Sequence, residues 1–132
     1  MKAVNKKPAR LSEAQMEIMQ EVWKGGEVTV TKVWEALEHR RGVARNTVHT
    51  LMERLTRKGW LKRRMDGQVH YYSAKSTRAR TMKDLVDRLL DSAFGGSAES
   101  LVLTLLQGRT LTPEEADRIR DLIDQSSKKE AS

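Results

Sequence analysis

The chain has 132 residues, no cysteine, and 25 Lys and Arg against 18 Asp and Glu, a net charge of +7. That length holds one compact domain or two small ones, and 38% apolar with 33% charged residues describes a globular chain rather than a disordered one. The missing thiols exclude a disulfide framework, a thiolate zinc site and a cysteine nucleophile, and they suit a reducing cytoplasm.

The opening stretch MKAVNKKPAR is basic, but no apolar run follows it, so it does not read as a signal peptide. The first helix is announced by Ser12, whose hydroxyl can cap it, and by Gln15 three residues on, the two halves of a capping box. Leu11 and Met16 fit the accompanying hydrophobic staple, and Leu11, Ala14, Ile18 and Val22 keep helical spacing until Gly25-Gly26. Val28-Thr29-Val30 suits a brief strand, with Thr29 also placed to cap a second helix. The stripe of that helix is Val30, Val33, Trp34 and Leu37, ending at His39-Arg40-Arg41-Gly42. A third helix opens near Asn46 and repeats the pattern with Val48, Leu51, Met52 and Leu55, leaving Arg45, Asn46, His49, Thr50, Glu53 and Arg57 on the opposite face. Lys58-Gly59 closes it.

The period then drops to two. Leu61, Arg63 and Met65 alternate with Lys62 and Arg64, Asp66-Gly67 signals a hairpin, and Val69, Tyr71 and Ser73 alternate with His70 and Tyr72 on the return strand. Three helices followed by a β-hairpin make a winged helix-turn-helix over residues 10–75. The remainder, 76–127, reads as three helices: one from Ser76 to Phe94, broken at Gly95-Gly96, a short one from Ser97 to Gln107, and one opened by the capping box Thr112-Pro113-Glu114-Glu115, with Ser126 to Ser132 as a frayed polar end. The fold class is therefore mainly α with a small β-hairpin wing. The longest apolar run, Leu101 to Leu106, is too short to span a bilayer, so no membrane insertion is expected.

Charge is distributed unevenly along this order. Residues 1–75 hold 16 basic and 8 acidic side chains, and 76–132 hold 9 and 10; within 39–64 there are nine basic residues and one acid, Glu53. A block so one-sided points to a polyanionic partner. A helix whose apolar face is held by its neighbours can offer its polar face to a major groove. Arg45, Asn46, Thr47, His49 and Thr50, near the start of that helix, are the candidates for base readout. Arg54, Arg57 and Lys58 suit phosphates, and Lys62, Arg63 and Arg64 of the wing would lie along the backbone or reach a minor groove. Thr47 and Asn46 also have the chemistry of helix caps, and Arg40-Arg41 reads equally as a phosphate contact or a solvated turn. Trp23 and Trp34 follow the apolar stripes into the core, and of Tyr71 and Tyr72 one faces the core and the other the surface of the wing.

No phosphate-cradling glycine loop and no nucleophile–base pair is present, so the chain reads as no enzyme, with no cofactor. His39, His49 and His70 lack ligand spacing, and no metal site is expected. The last 57 residues would bury little alone, because their apolar stripes have one aromatic, Phe94, and no staple. Pairing with a second copy would cover Met82, Leu85, Val86, Leu89, Leu101, Leu105, Ile119, Leu122 and Ile123, and a twofold dimer matches a palindromic double-stranded operator. Two other readings stand beside this one: a ligand- or metal-responsive regulator on the same frame, and a winged-helix protein-interaction adaptor, which the basic cluster disfavours.

The run Asn46-Thr47-Val48-His49-Thr50-Leu51-Met52-Glu53-Arg54-Leu55, ending in Lys58-Gly59-Trp60-Leu61, resembles the recognition-helix signature of the penicillinase repressor family (BlaI/MecI). The hairpin leading to Tyr72, the segments Phe94-Gly95-Gly96-Ser97 and Ser100-Leu101-Val102-Leu103, and Leu111-Thr112-Pro113-Glu114-Glu115 extend the resemblance over about residues 10 to 125. The resemblance implies a cytoplasmic bacterial repressor, homodimeric through its C-terminal helices. It further implies TACA/TGTA-like operator dyads, a role in the response to β-lactam antibiotics or cell-envelope stress, and release by a membrane sensor metalloprotease that triggers cleavage in the fifth helix. By residue match it gives recognition to Asn46, Thr47, His49 and Thr50 and backbone contact to Arg54 and Lys58. The cleavage position falls at Thr104-Leu105, where the proteolysed members have Asn-Phe, and the cysteine-rich tail of copper-responsive relatives is absent.

Overall fold

A computed structural model describes residues 10–131, with side chains through residue 128. The expectation that the opening stretch is no signal peptide falls on residues 1–9, outside the described residues. The chain divides into two compact units, the first ending at Asp84 and the second starting at Leu85.

In the first unit the order is α1 (Glu13–Gly25), β1 (Glu27–Val28), α2 (Val30–Arg41), α3 (Arg45–Arg57), β2 (Leu61–Asp66) and β3 (Val69–Ala74), followed by the start of α4 (Arg78–Ala93). α1 opens with the full capping box: the Gln15 amide donates to Ser12 Oγ at 3.2 Å and the Ser12 amide to Gln15 Oε1 at 3.0 Å. Thr29 caps α2 in the same manner, accepting from the Lys32 amide at 3.1 Å. Gly42, at φ 63°, ends α2 in the left-handed conformation that glycine adopts without a Cβ clash.

The strands form one antiparallel sheet in the order β1-β3-β2. Asp66 pairs with Val69, so the turn centres on Gly67-Gln68, one residue later than the Asp-Gly pair in the sequence suggests. Gly67 alone has positive φ, at 62°, which is the pattern of a type II′ turn with glycine first. Register puts Leu61 beside Ala74, Arg63 beside Tyr72 and Met65 beside His70 on one face, and Arg64 beside Tyr71 on the other.

The core gathers Ile18, Met19 and Val22 of α1, Val30, Val33 and Leu37 of α2, and Val48, Met52 and Leu55 of α3, closed by Trp60, Leu61 and Tyr72. Trp23 and Trp34 pack against its edge half-buried, and each uses its indole N–H: Trp23 to the Ser76 carbonyl at 3.0 Å, Trp34 to the Val43 carbonyl at 2.9 Å. The Trp34 bond fixes the link between α2 and α3, and so sets where α3 begins.

The second unit holds the rest of α4, α5 (Ala98–Gln107) and α6 (Pro113–Ala131). Ser97 caps α5 through the Ser100 amide, and Thr112 caps α6 through the Glu115 amide. α6 continues to Ala131, beyond the expected fraying point at Ser126. Lys and Ala, which make up much of its last turn in the sequence, are good helix formers. No single helix among the described residues is long and apolar enough to cross a membrane.

Candidate nucleic-acid interface

α3 is the most strongly two-faced element of the first unit. Val48, Met52 and Leu55 are buried, while Arg45, Asn46, Thr47, His49, Thr50, Arg54, Arg57 and Lys58 are all exposed. Val48, Met52 and Leu55, over about two helical turns, hold one side against the core and leave the other open to solvent.

The start of α3 departs from the sequence reading. Its N-cap is Ala44, in an extended conformation, with no side-chain hydrogen bond to the first turn. Asn46 and Thr47 therefore cap nothing. Among the described residues neither they nor Thr50 spend a side-chain hydrogen bond on the protein. These three line one shallow groove of about 250 Å³ with Leu51 and Arg54. An amide and two hydroxyls left unspent on an open face are what reading base edges needs. Arg45 leans back to α2, its Nε donating to Thr31 Oγ1 at 2.9 Å.

The nine Lys and Arg residues of 39–64, which the sequence presents as one block, fall into two groups. Arg40 pairs with Glu21 at 2.7 Å and Arg41 with Glu17 at 2.5 Å, tying the end of α2 to α1. Arg40 and Arg41, read equally as a phosphate contact or a solvated turn, thus make ion pairs at the surface that neither reading included. In the wing, Arg63 pairs with Glu53 at 2.9 Å and Arg64 with Glu27 at 2.8 Å. Arg64 also stacks over Tyr71, 4.8 Å from the ring centre. Both wing arginines, expected along the DNA backbone or in a minor groove, have carboxylate partners within the chain. Arg45, Arg54, Arg57, Lys58 and Lys62 pair with no carboxylate among the described residues.

Glu53, to which the sequence reading gave no role, joins α3 to the wing. Its carboxylate accepts from the Tyr72 hydroxyl at 2.5 Å and from Arg63 Nη1 at 2.9 and 3.1 Å. The Tyr72 hydrogen bond, with the Arg63 guanidinium, holds its carboxyl below the ordinary carboxylate range. Burial, with the Glu53 charge beside it, pushes the Tyr72 phenol up. The lone acid in a basic stretch was the available signal: such a residue needs a nearby cation or donor.

Between the start of α2, α3 and the wing lies a cleft of about 410 Å³ lined by Thr29, Thr31, Arg45, His49, His70 and Tyr72, among others. It brings His49 and His70 to one cleft. Among the described residues no group of three or more His, Cys, Asp or Glu is arranged to hold a metal.

The side chains expected at a dimer interface divide by exposure. Met82, Leu85, Leu101 and Ile119 are half-buried in the single chain, while Val86, Leu89, Leu105, Leu122 and Ile123 are exposed. Val102, Leu103 and Leu106, outside that expected set, are exposed as well. Thr104 and Leu105 lie inside α5, both exposed.

Comparison with known proteins agrees with this geometry. The chain is 25% identical over 123 residues to a penicillinase repressor of Staphylococcus aureus, covering 93% of this chain and 98% of that protein. It is 24% identical over 124 residues to a methicillin resistance regulatory protein MecI of Mammaliicoccus sciuri, covering 91% and 98%. Among solved structures, the DNA binding domain of the repressor BlaI superposes with a TM-score of 0.51 at 27% identity, over 56% of this chain and 90% of that one. MarR from E. coli superposes with a TM-score of 0.50 at 16% identity, over 88% of this chain and 77% of that one, and shares the fold alone. Residues 11–125 match the penicillinase repressor family, which takes in the winged helix and most of the second unit, and the chain belongs to that family.

Proposed function

We propose that this chain is a transcriptional repressor that binds operator DNA as a homodimer, with α3 in the major groove and the wing along the backbone. It is a binding protein and not an enzyme. The observation that carries the reading is the open face of α3. Asn46, Thr47 and Thr50 stand there with unspent donors and acceptors, and Arg54, Arg57, Lys58 and Lys62 follow as cations without carboxylate partners. The first group can tell bases apart, and the second supplies affinity that any duplex would satisfy.

Dimerisation is supported by the second unit, where Val86, Leu89, Val102, Leu103, Leu105, Leu106, Leu122 and Ile123 are 43–64% exposed in the single chain. Apolar surface of that extent on a small helical unit is covered by association. Two copies related by a twofold axis would set two α3 helices on a dyad, with TACA/TGTA-like half-sites as the first sequences to try. The regulated genes belong to a β-lactam or cell-envelope response, in the cytoplasm, by likeness to the relatives. A membrane sensor metalloprotease acting at Thr104-Leu105 would have to unwind α5 first, since the bond is helical.

The test is enrichment of duplexes from a random pool by the full-length chain, followed by footprinting and a reporter placed behind the enriched site. The expected result is a dyad motif protected on two half-sites, and reporter output that falls when the protein is expressed. No enrichment above random duplex in dilute salt would overturn the reading.

A further inference from the structure

The wing and the recognition helix are joined by one carboxylate. Glu53 sits on α3, one turn after His49 and Thr50, and reaches both strands of the wing: Tyr72 of β3 through the hydroxyl at 2.5 Å and Arg63 of β2 through Nη1 at 2.9 Å. Arg63 and Tyr72 are themselves cross-strand partners, so the three groups close a ring across α3, β2 and β3. Tyr72 is fully buried, whereas the Glu53 and Arg63 side chains are 31% and 37% exposed, so the ring stands at the rim of the core where helix and wing meet.

Such a carboxylate is a poor choice for contact with DNA. Its charge opposes phosphate, and it removes an arginine that would otherwise add to the positive surface. On electrostatics alone this chain would bind duplex better without it. The cost is offset only if the fixed geometry matters more than the lost charge.

We infer that Glu53 is a specificity-determining positioning residue, which sets the angle of the wing to α3 through Tyr72 and Arg63 and so makes base readout and backbone contact fall in one register. It acts through those two side chains and touches no base. The inference rests on the DNA-binding reading above. It adds that discrimination between sequences, rather than affinity, is what the ring supplies.

The two accounts predict opposite signs for Glu53→Gln, tested in the full-length chain. The probes are the duplex that the wild type enriches from a random pool and a scrambled duplex of the same composition. If Glu53 positions the wing, affinity for the scrambled duplex rises, because a negative charge is gone and Arg63 is released, and the salt slope steepens by about 0.9 for each protomer. Affinity for the enriched duplex falls at the same time, and the ratio between the two drops about tenfold or more. Tyr72→Phe keeps the net charge and the buried ring, and it should lower the ratio with no change in salt slope. A parallel rise on both duplexes for Glu53→Gln, with an unchanged ratio, would show a plain charge effect and overturn the inference. A parallel loss on both, with a lower thermal midpoint, would show a merely structural role and overturn it as well. If the wild type enriches nothing, the DNA reading itself falls and takes this inference with it, an outcome separate from either variant result.

Discussion

The division of cations into paired and unpaired sets fixes how binding should respond to salt. Each protomer has five basic residues on α3 and the wing without a carboxylate partner: Arg45, Arg54, Arg57, Lys58 and Lys62. If each holds one phosphate, a dimer neutralises ten, and the logarithm of affinity should fall with the logarithm of salt at a slope near about −9. A fourfold rise in salt then weakens binding by about three-hundred-thousandfold. Replacing Arg54, Arg57 and Lys58 together by Gln removes six of the ten contacts and should flatten the slope to about −4. Replacing Arg40 and Arg41 by Gln removes two formal charges per protomer against three, but these side chains are held by Glu21 and Glu17. Their loss should leave the slope within about one unit of the wild type and cost stability of only about 0–1 kcal/mol for each exposed pair. Fluorescence anisotropy on the enriched duplex across a salt series measures both variants. If the Arg40/Arg41 variant flattens the slope as much as the triple variant, the assignment of free and engaged cations is wrong.

Leu55→Ala empties a fully buried site in the core beneath α3. It should lower stability by about 2–5 kcal/mol in urea titration, with a smaller shift meaning that the site collapses. Leu103→Lys with Leu122→Lys places charge on two of the more exposed apolar positions of the second unit; sedimentation velocity should show monomer where the wild type shows dimer, and a persistent dimer would place the interface elsewhere. The Glu53 carboxyl is held below its ordinary value of 4.5, first by the Tyr72 hydrogen bond and then by Arg63. Its contribution to stability is therefore complete above that value and is lost as pH falls through the lower folded value. The stability gap between wild type and Glu53→Gln should be flat at neutral pH and shrink in acid below 4.5, and a gap that widens there would contradict the sign.

What spacing controls was legible in the sequence, and what distance controls was not. The Ser12–Gln15 capping box, the Thr29 cap, the stripes of α1 to α3 and the two-residue period of the wing depend on neighbours within four positions, and each stands where the pattern puts it. The start of α3 was misread because Asn46 has the chemistry of a cap, yet the chain enters the helix at Ala44 once Trp34 has bonded the Val43 carbonyl. The turn lies one residue late because cross-strand register, not the dipeptide, decides which two residues are central. Arg63 and Arg64 looked free because their partners are 10 and 37 positions away, and no local pattern reports a contact at that separation.

The same distances explain how one helix can both attract any duplex and choose among them. Along α3 the polar face changes character. Its first half carries Asn46, Thr47, His49 and Thr50, three of them uncharged by chemistry and all exposed, while its second half and the strand after it carry Arg54, Arg57, Lys58 and Lys62. Cations at the C-terminal end are favoured by the helix dipole, and that end has no need to approach base edges. The N-terminal end is the part that enters a groove in helix-turn-helix readers, where a shape-matched hydrogen bond discriminates and a flexible charge does not. Had the arginines of α2 and the wing also been free, sequence-independent attraction would have covered the whole surface and weakened the contrast between right and wrong sites. Glu13, Glu17 and Glu21 on α1, Glu27 on β1 and Glu53 on α3 lie against four of those arginines. The unpaired positive charge is thereby left to Arg45 at the start of α3 and to the stretch from Arg54 to Lys62, on either side of Asn46, Thr47, His49 and Thr50.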